Sequence, residues 1–246
     1  MSINTLKLKS TLKGGEMMRI ICLVLGLVFV MGGAAVAETV SYDTYAGWNL
    51  VSFPCVPYNP EPSAVLSAFD MMFTGIIQRH DAPTQSAVTY DAFAPAPTEF
   101  GNILLGEGYW LYYPDAGSVS YSGVTDGVPD LNGPTDMWIS LPGSADPAIE
   151  GGWHIIGHPF SHDTPIDPNF DWSGSGISFT DGTELKTWSE AVIAGWVGDS
   201  AYYTDTTSGV QYTAGYFFND DDHLRANVGY YVVTMKDNLA MIIPAQ

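Results

Sequence analysis

The chain has 246 residues, 46% of them apolar, with 27 acidic against eight basic side chains and a formal net charge of −19. That balance argues against nucleic acid and anionic membrane as partners, because a negative surface repels phosphate. Two cysteines cannot supply a disulfide framework, so stability must come from buried apolar surface, for which the length is ample.

Arg19 precedes an apolar run from Ile20 to Val30, and small residues follow, closing with Ala35-Val36-Ala37. This is the pattern of a secretory signal over residues 1–37, leaving Glu38 as the first mature residue. The run is short of the roughly 20 residues a membrane span needs, so no membrane insertion is expected after its removal. Met17 or Met18 offers an alternative start, and the surroundings of Cys22 lack the small residues of a lipoprotein site. The signal takes four of the eight basic residues and one of the 27 acidic ones, leaving a mature net charge of −22. The expected location is secreted or at the cell surface. Cys55 is left without a partner in the mature chain and is expected to be buried as a small hydrophobe.

The stretch GWNLVSFPCVPYNP (47–60) opens with a strand in which Trp48 and Leu50 project to one face and Val51 and Phe53 to the other, until Pro54 stops the ladder. Pro62 can open a short helix over PSAVLSAFD. Strands are predicted at 75–80 and 87–91, then a hairpin from 109–113 and 118–122 around PDAG. Residues 123–136 are rich in Gly, Pro and Asp and place a linker at 126–135. Beyond it come a strand in GWHIIGHPFSHDTP (152–165) and another at 176–180. A helix follows over TWSEAVIAG, with Thr187 and Glu190 in capping-box register and Gly195 as its stop. Strands at 200–204 and 210–216 are joined by DTTSG, and a last hairpin pairs 230–235 with 239–243.

The two halves share this order. GWNLVSFPCVPYNP aligns without gaps on GWHIIGHPFSHDTP, and GYWLYYPDAGSVSY (108–121) matches GYYVVTMKDNLAMI (229–242) with one residue of slip. Two anchors in order point to an internal duplication. The fold class expected is all-β: two tandem related antiparallel β-sandwich-like domains, at 38–125 and 136–246, with one or two short helices and an insertion around 166–227 in the second. GWNLVSFP followed by GEGYWLYY resembles the GWNLIS and GYW type of β-repeat of predicted exported bacterial proteins. That resemblance implies a compact sandwich and a scaffold or binding role, and it brings no catalytic residues. The second half departs from it with His158 at the Phe53 position and Tyr231 at the Trp110 position.

His154, His158 and His162 lie four apart, yet in a strand His154 and His158 are about 13 Å apart, too far for one ion. Gly157 and Pro159 oppose the helix that would join them. What remains as a metal candidate is His158 with His162 and Asp163 across the proline turn. NDDDH (219–223), with Asp220, Asp221 and Asp222, and the acidic stretch at 126–136 are the places where calcium could bind, although neither has the EF-hand pattern. No other cofactor is expected. SGSGIS around Ser175 lacks the nucleophile elbow of a serine hydrolase, and no catalytic residues are assigned.

Trp48, Trp110 and Trp153 sit on predicted strands and are read as core. Trp172, Trp188 and Trp196 lie in the insertion and are the ligand-binding candidates, for a sugar ring or a protein. The function expected is that of an exported, non-catalytic structural or adhesive protein of the cell surface or matrix, with other proteins or its own copies as partners. A carbohydrate-binding module is the alternative, and a secreted hydrolase the third class.

Overall fold

The computed structural model describes residues 37–67, 76–91, 100–125, 135–167, 176–205, 208–215 and 222–245. The signal segment, Trp172, Ser175, Asp220, Asp221 and nearly all of the linker lie outside them. The structure is all-β, with antiparallel sheets and two short helices among the described residues. None of those helices is long and apolar enough to cross a membrane.

The first lobe is built from β1 (Ala37–Thr44), β2 (Gly47–Ser52), β3 (Cys55–Pro57), helix α1 (Pro62–Ser67), β4 (Ile76–Asp81), β5 (Ser86–Asp91), β6 (Gly108–Tyr113) and β7 (Gly117–Thr125). Its strands form a sheet of order β2-β6-β4-β5 facing a sheet of order β1-β7-β3. Alternation along the strands sends Ile77, Tyr109, Leu111 and Tyr113 inward, where they meet Val40, Val51, Phe53, Cys55 and Tyr121 in one core. Cys55 is fully buried there.

The second lobe comprises β8 (Met137–Leu141), β9 (Gly152–Gly157), β10 (Thr164–Pro165), β11 (Ser178–Thr180), β12 (Leu185–Thr187), helix α2 (Trp188–Ile193), β13 (Ser200–Thr204), β14 (Gln211–Gly215), β15 (His223–Leu224), β16 (Gly229–Thr234) and β17 (Leu239–Ile243). The sheet β14-β13-β16-β9 faces β12-β11-β17-β8 across a second core containing Ile139, Leu141, Ile156, Phe179, Tyr230, Val232 and Met241. Helix α2 carries the capping box expected of it. Glu190 N donates to Thr187 Oγ1 at 3.3 Å, and Thr187 N donates to Glu190 Oε2 at 2.9 Å.

Pairing repeats between the lobes. Gly47 to Ser52 run opposite Tyr113 to Gly108, just as Gly152 to Gly157 run opposite Thr234 to Gly229. Tyr109 and Tyr230 therefore hold matching places, and each hydroxyl accepts from a main-chain N–H five residues upstream, Leu104 N at 2.8 Å and Arg225 N at 2.6 Å. Burial pushes the Tyr109 hydroxyl well above its ordinary pKa, with the nearby Glu107 carboxylate adding to it.

The inner sheets of the two lobes meet at a seam with approximate two-fold symmetry. Ser52 N donates to Asn227 O at 3.0 Å, and its counterpart Gly157 N donates to Gly106 O at 2.9 Å. Val51 bridges to Val228, and its counterpart Ile156 bridges to Glu107. Gly106 and Asn227, also counterparts, both have positive φ, of 80° and 65°, a conformation that glycine and asparagine tolerate best. Trp110 Nε1 donates to the hydroxyl of Tyr231, which occupies the same place in the other lobe, at 2.9 Å. Equivalent residues thus meet each other across an axis, the arrangement of an isologous interface.

Close approach at the axis explains which residues stand there. A Cβ on Gly157 would fall 2.8 Å from the Cβ of Ser52, its own counterpart, so only one of the pair can carry a side chain. Ser52 Oγ is buried without a hydrogen-bond partner. Ser52→Ala is therefore expected to leave stability unchanged or raise it by up to about 1 kcal/mol, because it removes a polar atom whose desolvation nothing offsets. Urea unfolding midpoints of the two proteins check this.

All four Lys and Arg side chains among the described residues sit over aromatic rings. Arg79 lies 5.9 Å from Phe100 and Arg225 5.6 Å from Tyr203, while Lys186 and Lys236 lie 4.9 and 4.3 Å from the Trp196 ring. Lys236 also pairs with Asp181 at 2.6 Å, and its hydrogen bond is the first cause holding that carboxyl well below the usual carboxylate range.

Candidate functional site

Of the three insertion tryptophans, Trp172 lies outside the described residues and the other two are buried. Trp188 is completely buried, its ring 5.2 Å edge-on to Phe179 and its Nε1 donating to Gly198 O at 3.0 Å. Trp196 is buried under the two lysines. A ring covered in this way has no face to offer a ligand, so both belong to the packing of the second lobe. Trp153, read from sequence as core, departs in the other direction and is 42% exposed.

The histidine cluster is drawn together only in part. The His158 and His162 rings are 6.4 Å apart. His158 is fully buried with both nitrogens engaged: Nδ1 faces Phe160 O at 3.0 Å and Nε2 faces Thr164 Oγ1 at 2.9 Å. The carbonyl can only accept, so Nδ1 donates and Nε2 accepts the threonine proton. With no lone pair left for an ion, His158 is a core residue, and burial lowers its pKa to about 4. Asp163 instead receives Ala226 N at 2.9 Å, and Asp222 pairs with the neighbouring His223. Among the described residues no group of three or more His, Cys, Asp or Glu side chains could hold a metal ion.

Two hollows open at the seam. The first is a cleft of about 350 Å³ lined by Trp153, Tyr202, Tyr231 and Gln211. Strands β9, β16 and β13 are neighbours, and their odd-and-even alternation places these side chains on the face turned away from the second core. Trp153 stands 6.1 Å from Tyr202 at 60° and 6.2 Å from Tyr231 at 83°, and Tyr231 in turn lies 6.2 Å from Trp110 of the first lobe. Tyr202 is 41% exposed. Pairing makes Gln78 the counterpart of Tyr202 and Ala87 that of Gln211, so the cleft arises where the second lobe departs from the first.

Trp153 is held rigidly from the backbone side. The Gln85 amide from the β4–β5 turn accepts from Trp153 N at 2.9 Å and donates to Trp153 O at 3.1 Å, and His80 Nε2 reaches the same oxygen at 2.9 Å. These contacts satisfy the free edge of β9 as a neighbouring strand would. Gly152 has a φ of 148°, which strains any other residue, and this accounts for the glycine before the tryptophan. In the first lobe the hydroxyl of Tyr45 donates to Trp48 O, the matching atom.

The second hollow, about 260 Å³, lies beside the first and is lined in part by Arg79, His80, Asp81, Glu107 and His154. On the counterpart side the places of Arg79, His80, Glu107 and His154 are taken by Tyr203, Thr204, Val228 and Asn49, so of the five only Asp81, matched by Asp205, has an acidic or basic counterpart. Burial lowers His154 to about 4 and lowers His80 as well, so both are neutral at pH 7. The hydroxyl facing His154, that of Thr234 at 3.1 Å, is itself buried and donates to Gly152 O. It serves to fix the ring and is not placed to act as a nucleophile.

Only the strand positions of Trp153, Tyr202 and Tyr231 were readable beforehand. A signal was present in the pairwise differences between the halves, Gln78 against Tyr202 above all, but the matched anchors do not include that strand. Comparison of the chain with protein-family models, with curated proteins and with solved structures finds no match.

Proposed function

We propose that this chain is an exported, non-catalytic adhesive protein of two duplicated β-lobes, the second of which holds a neutral glycan in its aromatic cleft beside the seam. The observation that carries this reading is the pair of exposed rings, Trp153 and Tyr202, set at 60° to each other with Gln211 at their edge. Such rings offer apolar faces to the C–H side of a sugar, and one amide beside them can accept and donate to its hydroxyls. The net charge of −19, or −22 once residues 1–37 are removed, favours neutral over acidic glycans. Equal strand order and register in the lobes, with equivalent residues meeting at the axis, supports the duplication. A rigid backbone clamp on Trp153 supports binding by a preformed surface.

Affinity electrophoresis of the mature chain through gels containing neutral polysaccharides tests the reading. Trp153→Ala is expected to weaken retention about tenfold or more, a loss of roughly 1.4 kcal/mol, while the protein stays folded because the ring is partly exposed and lies outside both hydrophobic cores. Absence of retention of the parent protein on every neutral polysaccharide, or equal retention of the variant, would reject it.

A further inference from the structure

We propose that the seam is exchangeable between copies of the chain, so that the first lobe of one molecule closes on the second lobe of another and builds dimers and longer assemblies. The partner is thus a second copy of this chain, and the surface it uses is the one already closed within the monomer.

The symmetry of the seam carries the inference. Each lobe contributes the same groups at the same places: an edge-strand N–H at Ser52 or Gly157, an acceptor carbonyl in a left-handed residue at Asn227 or Gly106, and a ring at Trp110 or Tyr231. Gly108 and Gly229 complete the set. A Cβ on Gly108 would lie 2.5 Å from Ile156 O, and one on Gly229 would lie 2.9 Å from Val51 O, so each lobe has the same notch for the edge of the other. None of these contacts depends on the two lobes belonging to one chain. Exchange keeps every one of them and adds no new surface, which is why swapping is a low-cost route to association.

What holds the monomer closed is proximity. Eleven residues separate the end of β7 at Thr125 from the start of β8 at Met137, a reach of at most about 40 Å. A short tether gives an effective concentration on the order of millimolar, so dilute protein closes on itself. At comparable densities, such as a layer of exported protein on a surface, exchange competes on equal terms. Reciprocal exchange between two chains leaves no lobe unpaired and gives a closed dimer, and exchange that does not close gives longer species with one open lobe at each end.

Cross-seam cysteines distinguish the two states. In the chain from residue 38 onward with Cys55→Ala, the pair Val51→Cys and Val228→Cys places thiols at a bridged position of the seam, and Glu107→Cys with Ile156→Cys does so at the symmetric one. Each protein is unfolded under reducing conditions, refolded at rising concentration, oxidised and run on a non-reducing gel, while light scattering follows the unsubstituted chain. The expected result is intrachain-linked monomer at low concentration and a ladder of interchain-linked species that grows with concentration, matched by rising mass of the unsubstituted protein. Monomer at every concentration by scattering overturns the proposal. So do oligomers whose cysteines remain linked within single chains, because assembly then runs through another surface. Glycan retention is independent of this outcome, since Trp153→Ala leaves the glycines and main-chain bonds of the seam intact.

Discussion

Gly157→Ala is expected to uncouple the lobes and cost about 3 kcal/mol of stability, more than any other single methyl group added to a strand of this protein. The new Cβ would stand 2.2 Å from Glu107 O, a main-chain atom that cannot swing aside as a side chain would. Relief requires β9 to move away from the Gly106–Gly108 segment, and that motion breaks the Gly157 N to Gly106 O bond and the Ile156 to Glu107 bridge together. Calorimetry should show the single transition of the parent protein splitting in two, since each lobe has its own core but they share the seam. Gly108→Ala, 2.5 Å from Ile156 O, should behave the same way. Gly117→Ala, whose Cβ meets nothing within 4 Å, should behave like the parent. A single transition with an unchanged midpoint in Gly157→Ala would show that the seam contributes no cohesion.

The second large effect is acid sensitivity between pH 6.5 and 4. Burial is the first cause lowering both His154 and His158 to about 4, with His80 adding to the effect at His154 and His162 at His158, while Asp163 and the Phe160 carbonyl oppose it at His158. The unfolded chain takes up protons at about 6.5 while the folded one does not, so the stability these neutral imidazoles bring is whole above pH 6.5. It falls as the pH drops and levels off below about 4. Each histidine contributes on the order of 3 kcal/mol to that slope. The duplication supplies the control: Asn49 holds the place of His154 and Phe53 that of His158, and both counterparts are buried. A His154→Asn, His158→Phe protein should therefore lose most of the difference in urea midpoint between pH 7 and pH 4. It should also be less stable than the parent at pH 7, because Thr164 and the Phe160 carbonyl lose their partner. An undiminished pH dependence in that variant would assign the acid response to the carboxylates.

Local chemistry explains what was legible in advance. The strands at 200–204 and 239–243 occur where alternation and turn residues placed them, and α2 begins at its capping box, because these signals act over a few residues. Helix α1 begins at Pro62 as expected. The tryptophans show the limit. Trp188, in a predicted helix, and Trp196, just beyond its stop, lie in the insertion and are ligand candidates by sequence, yet the second core and the lysines cover them. Trp153 stands in the strongest strand motif of its half and is nevertheless 42% exposed, because alternation turns it to the face away from the second core.

The sequence by itself determined the all-β character, the strand positions, and the matched glycine and aromatic anchors, since a pleated chain alternates its faces every residue and turns where glycine, proline and aspartate allow. Tertiary structure alone decided that the second face of each inner sheet closes against the other lobe, that Ser52 and Gly157 meet at an axis, and that Tyr202 joins Trp153 in a cleft. Alternation states that a strand has two apolar faces but not what covers the second. That choice depends on contacts between residues more than a hundred positions apart, such as Trp110 with Tyr231, and no local pattern encodes it.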